Sequence, residues 1–232
     1  THTYKVGNTI LLKQMLFQEK QDRLLIKYTL QNADEDVVLE LMPLLAFRQI
    51  HRLSIANDTA DTSYENTSQG IKFRMYQSYT PLYIQFSKKV EYQHLPYWYY
   101  NFEYIREQER GYDYLEDLLS PGKFTTTLRP GESLYVSCGV EEANPFLLSR
   151  DFVKETRFRF PIESMEDILR RAARMFFAQK GTKVDVVAGF PWFGRWGRDT
   201  FISLPGLCMA IGDWRMFRMA IDSELEDFQN GF

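Results

Sequence analysis

The densest chemistry in the chain lies in Ala188-Gly189-Phe190-Pro191-Trp192-Phe193-Gly194-Arg195-Trp196-Gly197-Arg198-Asp199-Thr200. Two Trp, two Phe, three Gly, two Arg and one Asp stand together here. Each type has a use in holding a neutral, hydroxyl-rich ligand. Glycine lets backbone approach a ligand closely and adopt φ > 0. Trp192 and Trp196 offer flat apolar faces against which the C–H face of a sugar ring can pack. The Arg198 fork donates to hydroxyl or ring oxygens with fixed geometry. The Asp199 carboxylate accepts hydrogen bonds from two neighbouring hydroxyls. Trp192, Trp196, Arg198 and Asp199 are therefore the candidate substrate-binding set. The same residues also have purely structural uses. Asp199 stands where a helix N-cap belongs, Arg198 can pair with a carboxylate, and both Trp can be core. On residue types alone the two readings stand level.

The elements that must position this segment change character once along the chain. Residues 1 to about 157 read as β. Residues 11–17 and 24–30 are apolar runs around the charged turn Glu19-Lys20-Gln21-Asp22, a hairpin pattern. Residues 37–44 form another run, and residues 71–76 and 82–87 alternate apolar with polar. Residues 124–128 and 133–138 flank the turn Arg129-Pro130-Gly131-Glu132. This pattern predicts an antiparallel β-sandwich. Residues 51–69 are polar and aperiodic, which predicts a long loop.

From Pro161 the period becomes helical. Ser164 with Asp167 resembles a capping box with a shortened acid. Met165, Ile168, Leu169, Ala172, Ala173 and Phe176 then fall on one face. Residues 179–196 read as a loop. Residues 200–211 are apolar nearly all round, predicting a buried helix loosened at Pro205-Gly206. Gly212 suits a C′ position and Asp213 an N-cap. Trp214, Phe217, Ile221, Leu225 and Phe228 form the stripe of a third helix, with Asp222, Glu224, Glu226 and Asp227 on its solvated side. The domain boundary is expected between residues 150 and 162.

Composition excludes some functions. A net charge of −3 offers no basic face for nucleic acid. No apolar run reaches the roughly 20 residues that span a membrane, and the opening residues read as strand, not as a secretion leader. Cys138 and Cys208 read as free thiols of a reducing compartment, consistent with a cytoplasmic protein. His2, His51 and His94 have no metal spacing, and no cofactor is expected. The 14 Tyr, 18 Phe and 4 Trp suit either a large core or sugar stacking. The cluster Tyr92, Tyr97, Trp98, Tyr99, Tyr100, Phe102 and Tyr104 is expected to pack within a sheet in preference to forming a starch platform. Glu107, Glu109, Glu116 and Asp117 are expected on a surface loop or a domain-interface face.

The run from Phe190 to Gly206 closely resembles the start of the catalytic domain of amylo-α-1,6-glucosidases, the debranching enzymes of glycogen breakdown. Trp196-Gly197-Arg198-Asp199-Thr200 is its most specific part. A second stretch agrees: Trp98-Tyr99-Tyr100-Asn101-Phe102-Glu103-Tyr104, Glu107-Gln108-Glu109-Arg110-Gly111, and residues 114–124, which include Glu116-Asp117 and Ser120-Pro121-Gly122. These look like the end of the β domain that precedes the barrel in the bacterial and archaeal type. The resemblance covers most of the chain, and residues 90–232 carry it most clearly. Arg195 stands where the family pattern more often has an acid.

The resemblance implies a supersandwich-like β domain over residues 1–157 and the opening helices of an (α/α)6 barrel over 158–232. It implies an inverting hydrolase of α-1,6 branch glucose, acting on glycogen or another branched α-glucan, with Arg198 and Asp199 gripping the innermost sugar. An inverting glycosidase needs two carboxyl groups about 6.5–9.5 Å apart. The resemblance puts both beyond Phe232, which would leave this chain alone inactive. The alternatives are a glucoamylase-like or phosphorolytic enzyme on the same barrel, and a carbohydrate-binding β-module without chemistry.

Overall fold

A computed structural model of the chain describes residues 1–19, 21–159, 163–190 and 193–226. It divides into two compact units, Thr1–Phe158 and Arg159–Phe232. Alternating apolar residues build the first. Its strands are β1 (His2–Val6), β2 (Thr9–Phe17), β3 (Arg23–Asn32), β4 (Val37–Leu41), β5 (Tyr64–Thr67), β6 (Gly70–Phe73), β7 (Leu82–Phe86) and the long β8 (Glu91–Glu103). A short helix α1 (Ile105–Glu109) leads to β9 (Leu115–Leu128) and β10 (Ser133–Gly139), and helix α2 (Leu148–Arg159) closes the unit. Seven strands form one antiparallel sheet in the order β1-β2-β3-β10-β7-β6-β5, and three form another in the order β4-β9-β8.

The two sheets share one core. Tyr28 and Leu30 of β3, Ile84 and Phe86 of β7, and Leu134 and Val136 of β10 meet Phe124 and Leu128 of β9. Val37, Leu39 and Leu41 of β4, every second residue, pack against the same cluster. The hairpin read at residues 11–30 is present, with β2 and β3 paired from Phe17↔Leu24 to Ile10↔Asn32. Gly122 is required where β8 and β9 close together. Its φ is +149°, and a Cβ there would stand 2.2 Å from the Gln93 carbonyl oxygen.

Three expectations for this unit are corrected. The segment 51–69 is not all loop, because β5 lies within it and pairs with β6 through the turn at Ser68-Gln69. Its residues are polar and mostly exposed, so backbone pairing at a sheet edge, not burial, makes it a strand. The unit is also not purely β. Helix α2 buries only Leu148, Phe152 and Glu155, and Leu148 and Phe152 pack on Leu25 and Ala143. So narrow an apolar stripe on a charged helix is faint in sequence. Finally, Glu116 is buried within the unit, not exposed on a face.

The second unit holds α3 (Met165–Met175), β11 (Phe177–Lys180), β12 (Lys183–Gly189), β13 (Phe193–Arg195), α4 (Gly197–Leu207) and α5 (Trp214–Glu226). The Ser164 Oγ accepts the Asp167 N–H at 3.1 Å and donates to the Asp167 carboxylate at 2.8 Å, closing the capping box over α3. Gly212 takes φ +73°, and Asp213 accepts the Met216 N–H at 3.1 Å to cap α5.

Residues 179–190 and 193–196 are not a loop. They contribute to a three-stranded antiparallel sheet, β11-β12-β13, turned at Gly181 with φ +63°. Val184 and Val186 alternate into a core with Leu204, Cys208 and Ala220. That alternation is only two residues long and lies among Gly and aromatics. The helix expected at 200–211 starts earlier, at Gly197, and yields to a 3-10 turn over Met209–Ile211. It is not buried all round, since Phe201 and Ile202 are exposed while Thr200 and Leu204 are inside. The α5 stripe is divided likewise: Phe217 and Ile221 pack on the core, whereas Trp214 and Leu225 are exposed. Asp227 and Phe228 lie outside the described residues.

Candidate functional site

The start of α4 carries the site. β12 and β13 pair antiparallel, Val187↔Arg195 and Gly189↔Phe193, and β13 delivers the chain to Trp196. Trp196 is the N-cap residue of α4 and makes no side-chain capping bond. Indole has a donor but no acceptor, so it cannot satisfy helix N–H groups. The first intrahelical bond runs from the Thr200 N–H to the Trp196 carbonyl, and the Thr200 hydroxyl also donates to that oxygen at 3.1 Å. Asp199 is thus not the N-cap, as its type suggested, but the third helical residue. There its negative charge still opposes the positive helix end.

The four candidate residues are distributed as follows. Trp196 is 54 % exposed. Arg198 and Asp199 are neighbours, with Arg198 Nη2 donating to Asp199 Oδ2 at 3.3 Å and side chains 74 % and 36 % exposed. Among the described residues this is the only hydrogen bond either side chain makes. Trp192 lies outside the described residues. The structure therefore brings Trp196, Arg198 and Asp199 to one solvent-open helix end. So exposed a pair contributes little to stability, which leaves its hydrogen-bonding capacity for a ligand.

Three charged residues surround this helix end, and sequence reasoning missed two of them. Arg195 donates to Asp185 on β12 at 3.2 Å, and its Nε lies 3.8 Å from Glu224 Oε1 on α5. The Arg195 cation thus stands between two carboxylates, which accounts for a base at this position. Glu224 is not on a solvated face: its side chain is 11 % exposed. Asp222 is exposed and Glu226 pairs with Lys183 at 2.8 Å, as a solvated face would have it. The signal for Glu224 was the small-residue pair Ala220 and Ser223, both buried, which marks the α5 face that packs closely. Glu224 follows Ser223 and lies one turn from Ala220, at the edge of that face.

The second resemblance stretch carries a polar cluster of a different kind. Glu116, 1 % exposed, accepts from Arg48 Nε and Nη2, from the Tyr104 hydroxyl at 2.6 Å and from the Ser54 N–H at 3.0 Å. Burial alone would raise its carboxyl; the Arg48, Tyr104 and Ser54 hydrogen bonds outweigh it and hold the group below its ordinary value. Asp117 accepts the Ala56 and Asn101 N–H groups at 2.9 Å each, and Asn101 takes φ +58°. Glu107 and Glu109 pair along α1 with Arg110 and Arg106. The aromatic cluster is split: Trp98 packs on the core and Tyr92 stacks near Phe124, whereas Tyr97 and Tyr100 are 60 % and 58 % exposed.

Comparison with curated proteins finds no match. Two family profiles do match. Residues 1–135, more than half of the chain, match the glycogen debranching enzyme N-terminal family, and residues 149–232 match the amylo-α-1,6-glucosidase family. The second match contains the whole α4 site, and the first contains the Glu116 cluster. With both halves matched in this order, the chain belongs to the glycogen debranching enzyme family.

Proposed function

We infer that the chain contributes the sugar-gripping part of a glycoside hydrolase that removes α-1,6-linked branch glucose from glycogen or a similar branched α-glucan, with inversion. The observation that carries this is the open Arg198–Asp199 pair beside exposed Trp196 at the start of α4. A fork donor, a carboxylate acceptor and a flat ring at one helix end suit a pyranose with neighbouring hydroxyls. Arg198 and Asp199 bind and orient the innermost sugar, and Trp196, with Trp192, stacks on it. We place the general acid and base on later helices beyond Phe232. Glu224 is engaged by Arg195 and Glu226 by Lys183, as ion pairs within the unit. The exposed apolar residues of α3 and α4, among them Met165, Leu169 and Ile202, support reading the second unit as the opening of an (α/α)6 barrel whose further helices cover them. The first unit is then the β-sandwich that precedes it. On this reading the 232-residue chain alone releases no glucose from limit dextrin.

The test is Asp199→Asn in the full-length enzyme. The amide keeps the shape and loses the charge-assisted hydrogen bonds, so kcat/KM on a branched limit dextrin should fall about 10- to 100-fold. Wild-type turnover by Asp199→Asn would overturn the binding role. Product analysis against linear maltotriose separates debranching from a glucoamylase-like or phosphorolytic reaction. The non-catalytic alternative, a carbohydrate-binding β-module, draws on Tyr97 and Tyr100, whose exposed rings stand 6.5 Å apart. Retardation of the chain in a glycogen-containing native gel, abolished by Tyr97→Ala with Tyr100→Ala but not by Asp199→Asn, would favour it.

A further inference from the structure

We propose that Glu224, acting with Arg195, is a positioning residue for the sugar-gripping end of α4. This rests on the reading of Arg198 and Asp199 as sugar ligands. It starts from an incomplete helix end. The first N–H groups of a helix have no intrahelical partner, and Trp196 supplies no side-chain cap for those of α4. A carboxylate stands there instead. Glu224 Oε2 lies 3.6 Å from where a Cβ on Gly197 would be, so Glu224 is against the first residue of α4. Its negative charge meets the positive end of the helix.

Glu224 is held in this place from several sides. Its side chain is 11 % exposed, and its Oε1 is buried, with no hydrogen-bond partner among the described residues, 3.8 Å from Arg195 Nε. A buried carboxylate without a cation beside it is strongly disfavoured, and Arg195 is the cation beside Glu224. Arg195 is itself anchored to Asp185 of β12 at 3.2 Å. The neighbouring Ser223 ties α5 to the same strand, accepting the Val184 N–H at 2.7 Å and donating to the Met219 carbonyl at 2.8 Å. Two consecutive residues of α5 thus dock it on β12 and on the first turn of α4. Arg198 and Asp199 follow Gly197 directly, so the charge contact between Glu224, Arg195 and α4 sets where their side chains begin. A grip on fixed hydroxyls tolerates only about 0.5 Å of displacement. Glu224 does not touch the sugar; it acts through the Arg198–Asp199 pair.

A double-mutant cycle in the full-length enzyme tests this: wild type, Glu224→Gln, Asp199→Asn and the double variant, with kcat/KM on branched limit dextrin and Tm recorded for each. Glu224→Gln should lower kcat/KM about 10-fold or more, since misplacement of binding groups by 1 Å costs up to about 100-fold. The double variant should be no more than about twofold worse than Asp199→Asn alone, because both changes disable one grip. Losses that multiply would overturn the positioning role and make Glu224 a structural charge only, as would wild-type kcat/KM in folded Glu224→Gln. An inert Asp199→Asn would sink the sugar-ligand reading and this proposal with it, and that single variant shows which has failed. Should Glu224→Gln not fold, Arg195→Lys and Arg195→Met decide. Lysine keeps the cation for Glu224 and should stay within a few-fold of wild type, whereas Met should fall as far as Asp199→Asn; equal loss in both overturns the proposal.

Discussion

The two units each hold an arginine–carboxylate pair, and the pairs are built for opposite ends. In the first unit Arg48 and Glu116 meet inside the fold, and the Tyr104 hydroxyl and Ser54 N–H take up further acceptor capacity of the carboxylate. Nothing is left over for a ligand. In the second unit Arg198 and Asp199 meet at an open helix end, with a single hydrogen bond at 3.3 Å between them. A saturated buried pair holds a loop to a strand, whereas an unsaturated exposed pair contributes little to folding and keeps its capacity for something else. The same two residue types serve both, and the difference lies in how many partners the fold already supplies.

The sharpest way to break the comparison is to remove one charge of the buried pair. Glu116→Gln leaves the Arg48 guanidinium without its partner and should cost about 3 kcal/mol of stability, read from urea unfolding of the β signal. A loss below about 1 kcal/mol would reduce the pair to a surface bridge. The same pair gives a pH signature. The folded Glu116 value lies below 4.5. Its contribution is therefore complete above about pH 4.5 and is lost as pH falls through the lowered folded value. The melting temperature of wild type should drop more steeply as pH falls below about 4.5 than that of Glu116→Gln. Parallel curves would mean that other carboxylates dominate acid unfolding.

Smaller effects sharpen the other side. Arg198→Lys keeps the charge and loses the fork, and should cost about 10-fold in kcat/KM in the full-length enzyme. Its stability should stay within about 0.5 kcal/mol of wild type. A stability loss larger than the kinetic one would assign Arg198 to folding. Asp213→Ala removes the cap of α5, and with it the bond to the Met216 N–H, and should lower stability by about 1 kcal/mol. Its effect on kcat/KM should be near zero, since Asp213 caps the opposite end of α5 from Glu224.

Much of this was legible along the chain because it is local. Apolar runs at 11–17 and 24–30 and the period-2 run at 82–87 made strands, Ser164 and Asp167 capped a helix, and Gly212 and Asp213 ended one helix and began the next. Each depends on residues within a few positions, so neighbours in sequence suffice to read it. Residue types at 190–206 also indicated the family and the sugar-binding candidates, since Trp196, Arg198 and Asp199 are adjacent. Only the tertiary structure decided which polar groups are spent and which are free. β5 and β13 exist through pairing with partner strands, not through their own pattern. Glu116 reads in sequence as one of a group of acids with Glu107, Glu109 and Asp117, yet Arg48, 68 residues away, makes it internal. Glu224 sits between two solvated acids, Asp222 and Glu226, yet Arg195 and the open end of α4 draw it under the helix. A carboxylate's environment is set by what lies across space from it, and a linear sequence does not carry that distance.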